Sequence, residues 1–260
     1  MLFKEDFEYG SQIHLLYKYH RKLNFMPSNI PVQLRMPPIE FFAVELAYSG
    51  IVVFLCLLIY FKTREIYELS KYKGIYHFRN AFLFLSLAYF VRFILASFAF
   101  STQLFDDKIE ISSGELFVVR SLILFLTYFS FMAIFSLAYS LVWKRIESGI
   151  LQHDAVLHII ALSLLTLIFL TRSHHLFILS HVALLTILVL TATINYRSSE
   201  KRKPFISQIY IIYFLLFAFW IVNIAFIPLR YLQPELKIPL YAASVLIMSL
   251  IAYKVVRTVS

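Results

Sequence analysis

The stretch that decides the fold is residues 39–61, IEFFAVELAYSGIVVFLCLLIYF. It is mostly apolar over the roughly 20 residues that a helix needs to cross a bilayer. Backbone N–H and C=O groups find no water inside lipid, so such stretches are predicted to be helices. Six similar stretches follow, and the expected fold is an all-α polytopic membrane protein with seven transmembrane helices. The predicted spans are Ile39–Phe61, Asn80–Thr102, Leu116–Trp143, Asp154–Thr171, Leu176–Asn195, Phe205–Ile227 and Leu236–Tyr253.

The composition agrees with a membrane protein. The chain has 260 residues, 60% of them hydrophobic, and a mean hydropathy of +0.77, which exceeds that of soluble domains. The spans leave room for one membrane domain, residues 39–260. The net charge of +9 does not indicate a nucleic-acid partner, because the basic residues concentrate at helix ends. The single cysteine, Cys56, lies inside the first span and excludes an intramolecular disulfide.

Residues 1–38 form a polar tail with four prolines. They lack the early apolar region of a secretory signal peptide. Two interpretations of the tail stay open. Ile13, Leu16, Tyr17 and Leu23 would share one face of a short amphipathic helix lying on the membrane. The other interpretation is a partly ordered tail.

Lysine and arginine are distributed unevenly between the two ends of the predicted bundle. Thirteen follow spans one, three, five and seven, against four in the other connections. Basic residues favour the cytoplasmic side, so the N-terminus is predicted outside and the C-terminus inside. With the tail included, the ratio is thirteen to nine. We expect a multi-pass protein of the cell membrane, surrounded by the lipid bilayer. Anionic lipid or a protein partner should meet the basic cytoplasmic face.

Five polar residues from five spans fall in the predicted outer half. At 1.5 Å per residue, Glu45, Arg92 and Arg120 lie roughly 9, 15 and 6 Å below the outer boundary. His181 and Asn223 fall at similar depths. Charges at such depths are costly unless paired, and they usually face the bundle interior. One interpretation is a cavity that opens outward and binds an anionic or zwitterionic ligand. The other is an internal ion pair of Glu45 with Arg92 or Arg120 that fixes helix packing.

The sequence carries no catalytic signature. It contains no nucleophile elbow, P-loop, dinucleotide fingerprint or zinc-protease helix, so we expect neither an enzyme nor a bound cofactor. The histidines near spans four and five lack the ligand set of a zinc site, so no metal is expected. A retinal protein needs a lysine midway along the last helix, but Lys237 and Lys254 stand at the ends of span seven. Rhodopsin-like receptors end helix three with Asp/Glu-Arg-Tyr, where this chain has Leu141-Val142-Trp143.

One segment resembles a known group of proteins. Residues 71–80, KYKGIYHFRN, followed by AFLF at 81–84, are similar to a segment of uncharacterised archaeal seven-helix membrane proteins. Those proteins are also similar to the membrane sensor regions of some prokaryotic signalling proteins. The resemblance implies a prokaryotic membrane protein and carries no site residues.

These features favour a sensor or receptor whose outer polar cluster binds a small ligand. The alternative is a non-catalytic subunit of a larger membrane assembly, and both homo- and hetero-oligomers fit the sequence. A transporter ranks third, because the chain has only five glycines and moving helices favour small residues.

Overall fold

The computed structural model describes residues 39–105, 113–143, 154–171, 174–199, 204–225 and 237–259. Regular structure in these ranges is helical throughout. The predicted all-α architecture is confirmed for the described residues, which form seven helices. The helices are α1 (Ile39–Ser70), α2 (Lys73–Phe105), α3 (Ser113–Val142), α4 (Asp154–Thr171), α5 (His174–Ser199), α6 (Pro204–Ala225) and α7 (Lys237–Val259). The predicted tail, residues 1–38, lies outside the described residues.

Six of the seven helices are long and apolar enough to cross a bilayer, namely all except α6. The apolar part of α6 that the structure describes, Tyr210–Ile224, is shorter. The whole of α6 has 22 residues, which at 1.5 Å per residue is about the thickness of the hydrocarbon core. The helices therefore indicate a multi-pass membrane protein in a lipid environment.

The predicted connection between the first two spans, residues 62–79, is not a loop. Both α1 and α2 extend into it and leave a two-residue turn. Arg64 Nε donates to Glu68 Oε1 at 2.6 Å, one turn further along, and such pairs support an exposed helix. Lys71 reverses the chain with φ of 52°, and its N–H donates to the carbonyl of Tyr67 at 2.8 Å. A residue in this left-handed conformation commonly ends a helix.

Contacts at the two ends of the bundle show how the helices run. Glu45 near the start of α1 meets Arg92 in the second half of α2 and Tyr241 near the start of α7. At the opposite end, Tyr76 early in α2 meets Asp154, the first residue of α4. We call the end that holds the start of α1 the predicted outer end, and the opposite end the predicted cytoplasmic end. The orientation itself stays a prediction.

The main core lies between α1, α2, α3, α5, α6 and α7. Its most deeply buried side chains include Val52, Phe82, Leu216, Phe219 and Met248. Helix α4 is peripheral, because it buries only Leu157 and Ala161. Large apolar side chains remain exposed on the outer surface of every helix, as expected where lipid is the solvent.

Candidate functional site

An ion pair between α1 and α2 lies at the centre of the polar residues in the predicted outer half. Arg92 Nε donates to Glu45 Oε1 at 2.5 Å. The Tyr241 hydroxyl of α7 donates to the other carboxylate oxygen, Oε2. The Glu45 carboxylate is thus held from two sides by a cation and a hydroxyl, which offsets the cost of burying it.

A second set of hydrogen bonds joins four helices beside the ion pair. The Tyr48 hydroxyl of α1 lies 3.0 Å from the Tyr89 hydroxyl of α2 and 2.9 Å from Ser244 Oγ of α7. Tyr48 and Tyr89 both donate to Asn223 Oδ1 of α6, at 2.8 and 2.7 Å. The Asn223 amide nitrogen donates to Ser244 Oγ at 3.0 Å. Buried polar groups that satisfy one another in this way fix the relative positions of their helices.

Tyrosine rings surround the Arg92 guanidinium. Its central carbon lies 5.1 Å from the ring centroid of Tyr48, 5.6 Å from that of Tyr89 and 6.0 Å from that of Tyr241. These distances allow cation–π attraction. We call the whole set the outer network. It consists of Glu45, Tyr48, Tyr89, Arg92, Asn223, Tyr241 and Ser244.

The two members of the ion pair differ in accessibility. The Glu45 side chain is 5% exposed, whereas the Arg92 side chain is 26% exposed. The carboxylate is therefore enclosed, and the positive partner forms the accessible side of the pair.

Of the five residues predicted for this site, three lie together. Glu45, Arg92 and Asn223 belong to the outer network, and the Glu45 partner is Arg92. Arg120 has an exposed side chain on α3, and α3 contributes none of the hydrogen bonds described above. His181 is buried but makes none of these hydrogen bonds, and its ring centroid lies 4.6 Å from that of Phe131 and 6.1 Å from that of Trp220. Its Nδ1 lies 2.9 Å from the carbonyl oxygen of Phe177, one turn earlier. The ligand-binding role of all five residues stays a prediction.

The sequence interpretation missed the tyrosines and the serine of the outer network. Tyr48 lies three residues after Glu45, Tyr89 three before Arg92, and Ser244 three after Tyr241. Residues three apart lie on the same face of a helix. A tyrosine three residues from a charge inside an apolar span could therefore have been predicted to join the site. Within the described ranges, no group of three or more histidine, cysteine, aspartate or glutamate side chains is arranged to hold a metal ion.

Comparison with known proteins gives one informative relative. No family model matches the chain, and no solved structure matches it. An uncharacterised protein of Archaeoglobus fulgidus is 37% identical over 232 residues, which cover 89% of this chain and 98% of the relative. The predicted resemblance to an uncharacterised archaeal protein is therefore confirmed, and it extends far beyond the first helical hairpin. The chain belongs to the same family as this Archaeoglobus fulgidus protein.

Proposed function

We propose that the chain is a membrane-embedded protein of the sensor or receptor type. Its outer network recognises a small organic anion or zwitterion through a carboxylate. The observation that carries the proposal is the asymmetric ion pair, in which the Arg92 side chain is 26% exposed and the Glu45 side chain only 5%. A ligand carboxylate approaching this side meets the cation first.

The chemistry around Arg92 suits such a ligand. Guanidinium groups bind carboxylates through charge-assisted hydrogen bonds. The tyrosine rings supply apolar surface for the rest of a small ligand, and their hydroxyls are hydrogen-bond donors. Because Glu45 already neutralises Arg92, an incoming carboxylate would compete with it and change the pairing between α1 and α2. A change in that pairing is the signal that the receptor would transmit.

Two buried polar atoms next to the outer network support the proposal. Ser49 Oγ and Trp220 Nε1 have no hydrogen-bond partner among the described residues. Ser49 lies one turn after Glu45 on α1, and Trp220 lies one turn before Asn223 on α6. Buried groups of this kind are normally satisfied by ordered water or by a ligand. Ser49 Oγ and Trp220 Nε1 could therefore supply further polar contacts to a ligand bound next to the ion pair.

The test is a panel of small molecules with the protein in mild detergent. Carboxylates and amino acids are compared with amines that lack an anionic group, and the melting temperature is the readout. At least one anion or zwitterion should raise the melting temperature of the wild type by several degrees, since ligand at about 100 times its Kd adds about 2.7 kcal/mol. The Arg92→Leu variant should not respond, while Arg64→Leu, which alters an exposed cation, should respond normally. An equal response in Arg92→Leu, or a response to amines alone, would contradict the proposal.

A second candidate function is a non-catalytic subunit of a membrane assembly. It is favoured by α4, which buries only Leu157 and Ala161 and leaves most of its surface open to a neighbouring membrane helix. The basic residues of the predicted cytoplasmic end would then meet a protein partner or anionic lipid. Purification in mild detergent distinguishes the two functions, because a subunit should carry other membrane proteins at a fixed ratio and a receptor should not.

A further inference from the structure

A cavity lies at the predicted cytoplasmic end, away from the outer network. It has a volume of about 270 Å³ and is open on one side. Four helices or their ends contribute to it. The lining residues are Tyr67, Lys73, Tyr76, His77, Tyr139, Trp143 and Asp154. We call this cavity the aromatic pocket, because four of these residues are tyrosine or tryptophan.

The rings of the aromatic pocket hold one another in place. The His77 ring centroid lies 4.4 Å from that of Tyr139 and 5.1 Å from that of Tyr76, in edge-to-face arrangements. Trp143 can approach α2 closely because residue 74 is glycine. A Cβ atom on Gly74 would lie 2.8 Å from Trp143 Nε1. The aromatic side chains that line the cavity are therefore packed against one another.

The polar groups of the aromatic pocket are few and differ in depth. His77 is 7% exposed, and its Nε2 lies 3.9 Å from Asp154 Oδ1. The Tyr76 hydroxyl donates to Asp154 Oδ2 at 3.5 Å. Lys73 is exposed and is the one lysine or arginine among the lining residues. A carboxylate that accepts hydrogen bonds and a flexible cation thus stand at the rim of an aromatic interior.

The cation of Arg79 contacts two of the tyrosines that line the aromatic pocket. The Arg79 guanidinium stacks over the rings of Tyr67 and Tyr76, at 5.0 and 5.3 Å from their centroids. Its buried Nε has no hydrogen-bond partner among the described residues. Arg79 therefore adds positive potential close to the two tyrosines without closing the cavity.

We propose that the aromatic pocket binds a mononucleotide. Nucleobases stack on tyrosine and tryptophan rings, and a carboxylate such as that of Asp154 accepts hydrogen bonds from base N–H groups. Lys73 at the rim can contact a phosphate as a point charge. The volume of about 270 Å³ lies just below the roughly 300–1,000 Å³ that is usual for ligand pockets, so the proposed ligand is a single mononucleotide and not a dinucleotide. A lipid phosphate alone would use Lys73 but would leave the aromatic interior and the Asp154 carboxylate without a counterpart.

Tryptophan fluorescence gives a reporter inside the proposed site. The chain has two tryptophans, so Trp220→Phe leaves Trp143 as the one emitter. This variant in mild detergent is titrated with AMP, GMP, CMP and UMP. The corresponding nucleosides, inorganic phosphate and vesicles of phosphatidylglycerol are titrated separately. At least one nucleotide should quench Trp143 saturably, more tightly than its nucleoside, while phosphate and vesicles should not.

Variants separate the pocket from a general effect of charge. In the same background, Lys73→Met should weaken nucleotide binding about tenfold, as expected for loss of one charge-assisted contact, and should leave nucleoside binding unchanged. Lys73→Arg should restore binding, which excludes misfolding as the cause. Lys62→Met, at an exposed lysine of the same end, is the matched control and should bind normally. The proposal is overturned by no quenching up to about 10 mM nucleotide, by equal quenching with phosphate or vesicles, or by equal losses in Lys73→Met and Lys62→Met.

Discussion

Replacement of Arg92 by leucine removes the cation that pairs with the enclosed Glu45 carboxylate. The hydrogen bond that the carboxylate accepts from the Tyr241 hydroxyl remains. Breaking a buried ion pair by removing one partner typically costs 3–5 kcal/mol. Because the carboxylate keeps its hydrogen bond from Tyr241 and the Arg92 side chain is 26% exposed, we place the loss near the lower limit, at about 3 kcal/mol. Glu45→Gln keeps the shape of the side chain and one acceptor oxygen, but its amide nitrogen cannot accept the second of the two hydrogen bonds. Because most of the packing is kept, it should cost less than Arg92→Leu, about 2 kcal/mol.

These losses can be measured as melting temperatures in detergent. For a chain of this size, each kcal/mol corresponds to about 2–4 °C, so Arg92→Leu should lower the melting temperature by about 6–12 °C. The Glu45→Gln/Arg92→Leu double variant removes both charges and should recover about 1–2 kcal/mol relative to the sum of the single losses.

The chain offers a matched control for this experiment. Arg64 and Glu68 form the same kind of pair, with Nε and Oε1 2.6 Å apart, but both side chains are more than half exposed. Glu68→Gln should therefore leave the melting temperature almost unchanged. The reasoning would be refuted if Glu45→Gln and Glu68→Gln had equal effects, or if the losses at Glu45 and Arg92 were additive.

Three further predictions concern orientation, the hydrogen-bond network and the basic face. With the buried Cys56 replaced by serine, an impermeant thiol reagent on intact cells should label a cysteine at Ser113 and spare one at Ser199; the reverse pattern would invert the topology. Tyr48→Phe removes a hydroxyl that has three partners and should cost about 1–3 kcal/mol in detergent unfolding, whereas the same change at an exposed tyrosine should have no measurable effect. The basic residues at 201–203 lie outside the described ranges. Neutralising them should weaken binding to anionic vesicles by roughly 1 kcal/mol per charge close to the surface. Unchanged binding would show that these charges are only solvated.

Part of this structure follows from the sequence because the bilayer restricts the options. Long apolar stretches must be helical in lipid, so the seven helices and their approximate positions were predictable. The depth of Glu45, Arg92 and Asn223 along their helices also placed them in one layer. Depth does not give rotation about the helix axis, however. Arg120 and His181 were assigned to the same layer, but none of the hydrogen bonds described for the outer network comes from either side chain.

Two other features required the folded chain. The helical extensions of α1 and α2 beyond the apolar spans are polar and exposed, with pairs such as Arg64 and Glu68 in α1, and hydropathy does not detect such helices. The aromatic pocket brings together Tyr67, Tyr139 and Asp154, which are far apart in sequence. Such long-range proximity is set by packing, and no local pattern in this single sequence encodes it.

Ligand binding by the Glu45→Gln/Arg92→Leu double variant tests the central claim most directly. This variant lacks the ion pair but avoids an unpaired buried charge, so it separates loss of the site from loss of the fold. Equilibrium dialysis should be performed with the carboxylate ligand that stabilises the wild type most. The outer network is a receptor site if the wild type binds saturably and the double variant, shown to be folded under the same conditions, does not bind. Equal binding by the wild type and the double variant would contradict the claim and leave the ion pair with a purely structural role.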